Sequence, residues 1–172
     1  MEQTTLHGDN QQVSLEAKKG WMGGIMDGEG TIMMARHAQA NTYFPRLQMG
    51  NTNYFICKQF VEILREFEIP FHVFYEKSKN SKHKSVWRIT IHGFKRVKKF
   101  LDIFTPYLFG KKEQSKLILD YINERLSLPN KGYYNTPISE NLKQIAEKVI
   151  MLNKTGFQKT STTIRQTQPI EL

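Results

Sequence analysis

Cysteine is nearly absent from this chain. Cys57 is the one thiol in 172 residues, which excludes an internal disulfide framework and leaves no second sulfur for a zinc pair. Long apolar runs are missing too: nothing approaches the roughly eighteen consecutive apolar residues of a membrane-spanning helix, so no membrane partner is expected. Met1 to Val13 lack the apolar core of a signal peptide and the arginine-rich character of a transit peptide, and read as a flexible N-terminal arm. Asn153-Lys154-Thr155 spells a glycosylation acceptor, but nothing else points to secretion. A lone thiol suits a reducing, intracellular setting, and organelle, prokaryotic and phage-host cytoplasm fit it equally. Acidic residues are in the minority, 16 against 25 Lys and Arg, giving a net charge of +9. That balance favours a polyanionic partner, most simply nucleic acid, with a solvated basic surface as the bland alternative.

What is present is organised around Trp21-Met22-Gly23-Gly24-Ile25-Met26-Asp27-Gly28-Glu29-Gly30. Ser14 is a plausible N-cap for a helix from Leu15 to about Met26 that ends in this glycine-flanked acidic turn. Two glycines inside a helix cost about 1 kcal/mol each relative to alanine, so Gly23 and Gly24 call for a reason such as close approach of a second, twin helix. Asp27 and Glu29 then sit at the bottom of that contact, with Gly28 and Gly30 letting the chain turn sharply. An ordinary helix-to-strand turn is the alternative reading of the same residues.

Alternating patterns follow. Strand character runs over 31–39 and 43–51, then Asn51, Thr52 or Asn53 caps a helix with Ile56, Phe60, Ile63, Leu64 and Phe67 at helical spacing, closed by Pro70. A second hairpin pairs 71–76 with 86–91 across a basic tip carrying Lys79, Lys82 and Lys84, of the kind that grips phosphates. Gly93 opens a third helix with Phe94, Val97, Leu101 and Phe104 inward. The expected architecture is α+β: an αββαββα core whose saddle-shaped antiparallel four-stranded sheet has its helices on one face. Two extra C-terminal helices follow, one with Leu117, Ile118, Tyr121, Ile122 and Leu126 inward and one capped by Ser139. Residues 1–13 form the arm, 14–152 one domain, and 153–172 a basic, polar tail in which Lys154, Lys159 and Arg165 can lie along a phosphate backbone.

The open face of such a sheet fits a DNA major groove. Its parity presents Met33, Ala35, His37, Gln39, Phe44, Arg46, Gln48, Arg88 and Thr90, with Glu76 from the third strand. Arg46 and Arg88 suit guanine, Gln39 and Gln48 adenine, Glu76 a cytosine amino group, and Met33, Thr90 or Phe74 a thymine methyl. A strand of about eight residues spans roughly 26 Å, about eight base pairs of axis, so two copies cover about sixteen. Phosphodiester hydrolysis calls for a hard divalent cation, Mg²⁺ with Mn²⁺ as a substitute, and Glu29 offers the carboxylate. A Glu29 from each of two subunits would complete a shared site. Ca²⁺, larger and looser in geometry, is expected to bind without turnover. The histidines lack metal-ligand spacing.

Trp21 to Gly30 resembles the signature of the LAGLIDADG homing endonucleases, and the order of elements is similar to that family's core. One motif in a chain of this length resembles the homodimeric, chloroplast-intron class. Thr105-Pro106-Tyr107-Leu108 with Lys111-Lys112, and the stretch from Asn153 to Arg165, resemble the end of the core and its C-terminal extension. The resemblance implies Glu29 as metal-binding acid with the Gly28 carbonyl beside it, Asn53 ordering water near the scissile phosphate, and Lys111 as the basic residue that stabilises phosphate charge. It implies a dimer interface of Trp21, Gly23, Gly24 and Asp27, with Asp27 also capping the helix. In an ungapped alignment Cys57 stands where a relative has a basic-pocket arginine, with Lys58 next to it. The expected activity is metal-dependent cleavage of both strands of a long, near-palindromic double-stranded DNA target by a homodimer, leaving short 3′ overhangs. Two other readings compete: a non-cleaving binder on the same saddle, either an intron RNA maturase or a transcription regulator, and a basic surface attached nonspecifically to RNA.

Overall fold

The computed structural model describes residues 13–37, 42–78, 82, 84–128 and 138–155. The expected order of elements holds. Helix α1 (Leu15–Gly28) leads into strands β1 (Gly30–His37) and β2 (Thr42–Asn51), then helix α2 (Tyr54–Glu66). Strands β3 (His72–Glu76) and β4 (Val86–His92) precede α3 (Phe94–Phe104), a 3₁₀ turn (Thr105–Tyr107), α4 (Lys112–Ser127) and α5 (Glu140–Thr155). The sheet is antiparallel with strand order β1-β2-β4-β3, so β2 and β4 are central and β1 and β3 are edges.

Alternation decides which face is covered. Ile32, Met34, Leu47, Met49, Ile89 and Ile91 point to the helix layer and are buried with Met22, Met26, Phe60, Leu64, Val97, Phe100 and Ile118. Burying a large apolar side chain contributes about 1.5–3 kcal/mol, so one face of the sheet is committed to the helices. The intervening residues of the pattern, among them Thr31, Met33, Phe44, Arg46 and Gln48, point to the other face, which no helix covers among the described residues.

Caps account for the helix starts. Ser14 Oγ accepts from Ala17 N at 3.2 Å, Asn53 Oδ1 from Phe55 N at 2.9 Å, and Ser139 Oγ from Leu142 N at 3.2 Å. Helix α5 continues through Asn153 and Lys154 to Thr155, past the domain boundary expected at Leu152, and the Asn153 side-chain amide donates to the Ile32 carbonyl at 2.8 Å. That bond uses a backbone acceptor that an edge strand leaves unpaired. Inside the helix layer Tyr121 Oη donates to the Tyr43 carbonyl at 2.9 Å, and burial pushes its phenol up to about 12.

Candidate functional site

The site is built on the C-terminal end of α1. Met22 and Met26 anchor one face of the helix in the core, one turn apart. Gly23 lies on that inner side: a Cβ there would stand 2.3 Å from the Tyr107 carbonyl oxygen, so its close approach is to the 3₁₀ turn of its own chain. Gly23 thus packs within its own chain, where the sequence suggested a contact with a second subunit. The opposite side is bare. Gly20, Gly24 and Gly28, four residues apart, are all exposed, and a Cβ added to any of them would meet nothing within 4 Å. Of these three, the sequence points only to Gly24 as a contact residue. The four-residue spacing is there to be read, but the adjacent Gly23-Gly24 pair masks it. Trp21 is half-buried beside this stripe.

Gly30 is needed for proximity too. A Cβ on it would lie 2.7 Å from the Met26 carbonyl oxygen and side chain. The chain does turn sharply, passing from helix to strand through Glu29 alone, but neither Gly28 nor Gly30 uses the left-handed region, since Gly93 is the glycine with a positive φ (92°) among the described residues. The chain leaves the helix through Glu29, whose N–H still donates to the Ile25 carbonyl at 2.8 Å, and enters β1 directly.

Asp27 is the residue that ties the site together. Its carboxylate accepts from Phe109 N at 2.6 Å, Gly110 N at 3.1 Å and Lys111 N at 3.0 Å. Three backbone donors on one anion make a charge-assisted clamp that fixes the 109–111 loop against the end of α1. The Lys111 ammonium returns to donate to the Asp27 carbonyl. Asp27 therefore serves contacts within its own chain, where the sequence suggested a helix cap and a subunit contact. Partial burial pulls the Lys111 pKa below the usual lysine range, with the Asp27 charge opposing the shift. Phe109, on the clamped loop, is 90% exposed.

Glu29 is exposed and has no ion-pair partner among the described residues, in a chain whose net charge is +9. It stands at the C-terminal, partly negative end of α1, next to the last helical carbonyls. Carboxylate and carbonyl are hard oxygen donors of the kind Mg²⁺ takes, so the donor chemistry fits. No group of three or more His, Cys, Asp or Glu suited to a metal occurs among the described residues.

The strand register brings in the second half. Gly30 pairs with Met49, so the end of β2 runs beside Glu29 and leads to Asn51 and Asn53. Asn51 Oδ1 accepts from Asn53 N at 2.8 Å, and Asn53 Oδ1 is committed to capping α2, which leaves the Asn53 amide NH₂ as its free group. The N-terminus of α2 has no acidic residue in its first turn and so keeps its attraction for anions. Cys57 is buried, its Sγ 3.7 Å from the Asn51 carbonyl, and burial raises its pKa. A buried thiol is no place for a pocket arginine, and neighbouring Lys58 is engaged with Glu62 at 3.8 Å.

The open face carries cross-strand rows. Thr31, Gln48, Thr90 and His72 align across all four strands, Met33, Arg46 and His92 form a second row, and Gly50, Arg88 and Phe74 a third. Met33, Ala35, Phe44, Arg46, Gln48 and Thr90 thus share the face assigned to them by parity. Arg46 stacks over Phe44 at 5.8 Å, and its shielded Nε has no acceptor among the described residues. Arg88 and Glu76 do not stand as independent readers: two hydrogen bonds of 2.6 and 2.7 Å join them, lowering the Glu76 pKa and raising that of Arg88. His72 and His92 belong to the face as well, although scattered histidines carry no sequence pattern that would single them out. Lys82 and Lys84 are exposed at the hairpin tip, and Lys154 is exposed on α5. Gln39, Lys79, Lys159, Arg165 and the His37 side chain lie outside the described residues.

No family model and no curated protein matches the chain. Solved structures do. The archaeal intron-encoded homing endonuclease I-Vdi141I, complexed with DNA, superposes with a TM-score of 0.53 at 13% identity, covering 82% of this chain and 99% of that one. The LAGLIDADG homing endonuclease I-GzeII, in complex with its DNA target, gives 0.52 at 17% identity over 77% of this chain and 42% of that one. The LAGLIDADG meganuclease I-AabMI, bound to uncleaved DNA, gives 0.50 at 14% identity over 74% and 43%. This chain thus matches nearly the whole of one such structure and less than half of two others.

Proposed function

We propose that this chain, which has the fold of the LAGLIDADG homing endonucleases, is a site-specific endonuclease that cuts both strands of duplex DNA as a homodimer, leaving short 3′ overhangs. The observation that carries the reading is the Asp27 clamp. It sets the Lys111 ammonium at the same helix end as the exposed Glu29 carboxylate, beside a helix face bare of side chains. A binding protein has little use for an unpaired carboxylate aimed at phosphates.

Two copies packed along Gly20, Gly24 and Gly28, with Phe109 covered at the rim, bring two Glu29 carboxylates and two Gly28 carbonyls together. The Glu29 carboxylates and Gly28 carbonyls would hold a hard divalent cation such as Mg²⁺, which would supply Lewis-acid charge for phosphodiester hydrolysis. The chain's own residues do the remainder. Lys111 offers positive charge to the phosphate, and its lowered pKa makes its proton easier to give up. The Asn53 NH₂ orients water, and the bare α2 N-terminus favours the phosphate. Met33, Ala35, His37, Gln39, Phe44, Arg46, Gln48 and Thr90, with the Arg88–Glu76 pair, face the bases, while Lys79, Lys82, Lys84, Lys154, Lys159 and Arg165 meet backbone phosphates.

The test is a cleavage selection with Mg²⁺ on a randomised duplex library, run beside Glu29→Gln and Phe109→Lys, with sedimentation of each protein. The expected outcome is one long recovered site, binding without cutting by Glu29→Gln, and weaker self-association by Phe109→Lys. Recovery of a bound duplex that the wild type never cuts would instead make the protein a non-cleaving binder.

A further inference from the structure

His72 and His92 stack on the open face of the sheet with ring centroids 4.7 Å apart and planes within 13°, and Phe74 stacks on His72 at 6.4 Å. The pair comes from neighbouring strands: His72 sits opposite Thr90, two residues before His92, while Arg46 of β2 sits opposite His92 itself. Arg96 reaches the same place from the first turn of α3, just past the turn at Gly93. The charged or titratable groups acting on His92 are His72 from β3, Arg46 from β2 and Arg96 from α3, and none is a carboxylate. Glu76, the acid of β3, is spent on Arg88.

We propose that His72, His92, Arg46 and Arg96 form a proton-linked seat for a hydrogen-bond acceptor of bound duplex DNA, so that binding takes up a proton at the stacked histidines and tightens as pH falls. The inference rests on the DNA-binding reading above. Its basis is electrostatic. Four groups that are cationic or can become so crowd one spot, so the free protein disfavours adding a proton. Burial, then His72, Arg96 and Arg46, hold the His92 pKa below the ordinary histidine range. A phosphate oxygen or a guanine O6/N7 edge placed there reverses the balance: it neutralises the arginines and accepts a stronger, charge-assisted hydrogen bond from a protonated ring than from a neutral one. The histidine pKa is then higher in the complex than in the free protein. Between the two values binding consumes protons, so affinity is greatest below both and smallest above both. Each unit of difference is a factor of about ten in affinity.

The experiment measures binding of the full chain, without divalent metal, to an alternating A·T duplex and a G·C duplex of roughly two dozen base pairs each. Affinities are compared at about pH 6 and about pH 8 for the wild type and for His72→Gln/His92→Gln. His7, His37 and His83 remain in both proteins, so the difference between them belongs to the stack. The expected result is a wild-type affinity about tenfold higher at the lower pH, most of which disappears in the double variant. Loss on G·C alone assigns the seat to the guanine O6 edge, and loss on both duplexes assigns it to an acceptor that both carry, a phosphate oxygen or a groove acceptor such as purine N7. NMR titration of the wild-type histidine ring protons, with and without duplex, reads the same linkage with no substitution and should show the His92 resonance titrating at higher pH in the complex. Equal pH dependence in wild type and variant, or ring titrations that the duplex leaves unmoved, overturns the proposal while DNA binding stands. Failure of the wild type to bind either duplex at any pH overturns it together with the DNA-binding reading.

Discussion

The two sides of α1 use the same residue type for opposite ends. On the inner side Gly23 is spent: the Tyr107 backbone occupies the space its side chain would need. On the outer side Gly20, Gly24 and Gly28 are unspent, exposed with open space above them. Each exposed helical glycine costs about 1 kcal/mol relative to alanine and returns nothing within a single chain. The inner glycine is explained by the fold, whereas the outer three have no contact within the chain, which is what the proposed dimer contact would supply. Asp27 lies where the two sides meet, clamping the loop that carries both Lys111 and the exposed Phe109.

The largest expected effect separates chemistry from structure at the bare end of the helix. Glu29→Gln should lower single-turnover cleavage about a thousandfold or more, roughly 4 kcal/mol of barrier, with the melting temperature unchanged because the carboxylate supports nothing in the chain. Gly23→Ala should destabilise by about 3 kcal/mol in denaturant titration, since the added methyl meets backbone that cannot move aside. Asp27→Ala should cost about 2 kcal/mol by the same measurement, the worth of a charge-assisted clamp, and should also slow cleavage by releasing Lys111. The smallest effect has the opposite sign. Gly24→Ala should stabilise the isolated chain by about 0.5–1 kcal/mol while weakening self-association in sedimentation. If Gly23→Ala and Gly24→Ala proved alike in both stability and association, the distinction between the two sides would collapse.

The strand residues are readable because burial on one face imposes a period of two, and Ile32, Met34, Leu47, Met49, Ile89 and Ile91 keep it. The same alternation places Met33, Arg46, Gln48 and Thr90 on the open face. It has nothing to say about which residues pair across that face. The Arg88–Glu76 pair and the His72–His92 stack depend on register between strands separated in sequence, which no local pattern encodes.

What the sequence determined by itself was the order of elements, their amphipathic faces, the caps at Ser14 and Ser139 with a third within Asn51–Asn53, and an acid at the end of a glycine-rich helix. These follow from propensity and periodicity within a few residues. Only the tertiary structure decided which glycine faces inward, that the Asp27 carboxylate holds the backbone of 109–111 more than eighty residues away, and that Cys57 is core rather than pocket. Each of those outcomes is a contact between distant segments, set by how α1, the sheet and the loop after the 3₁₀ turn pack together.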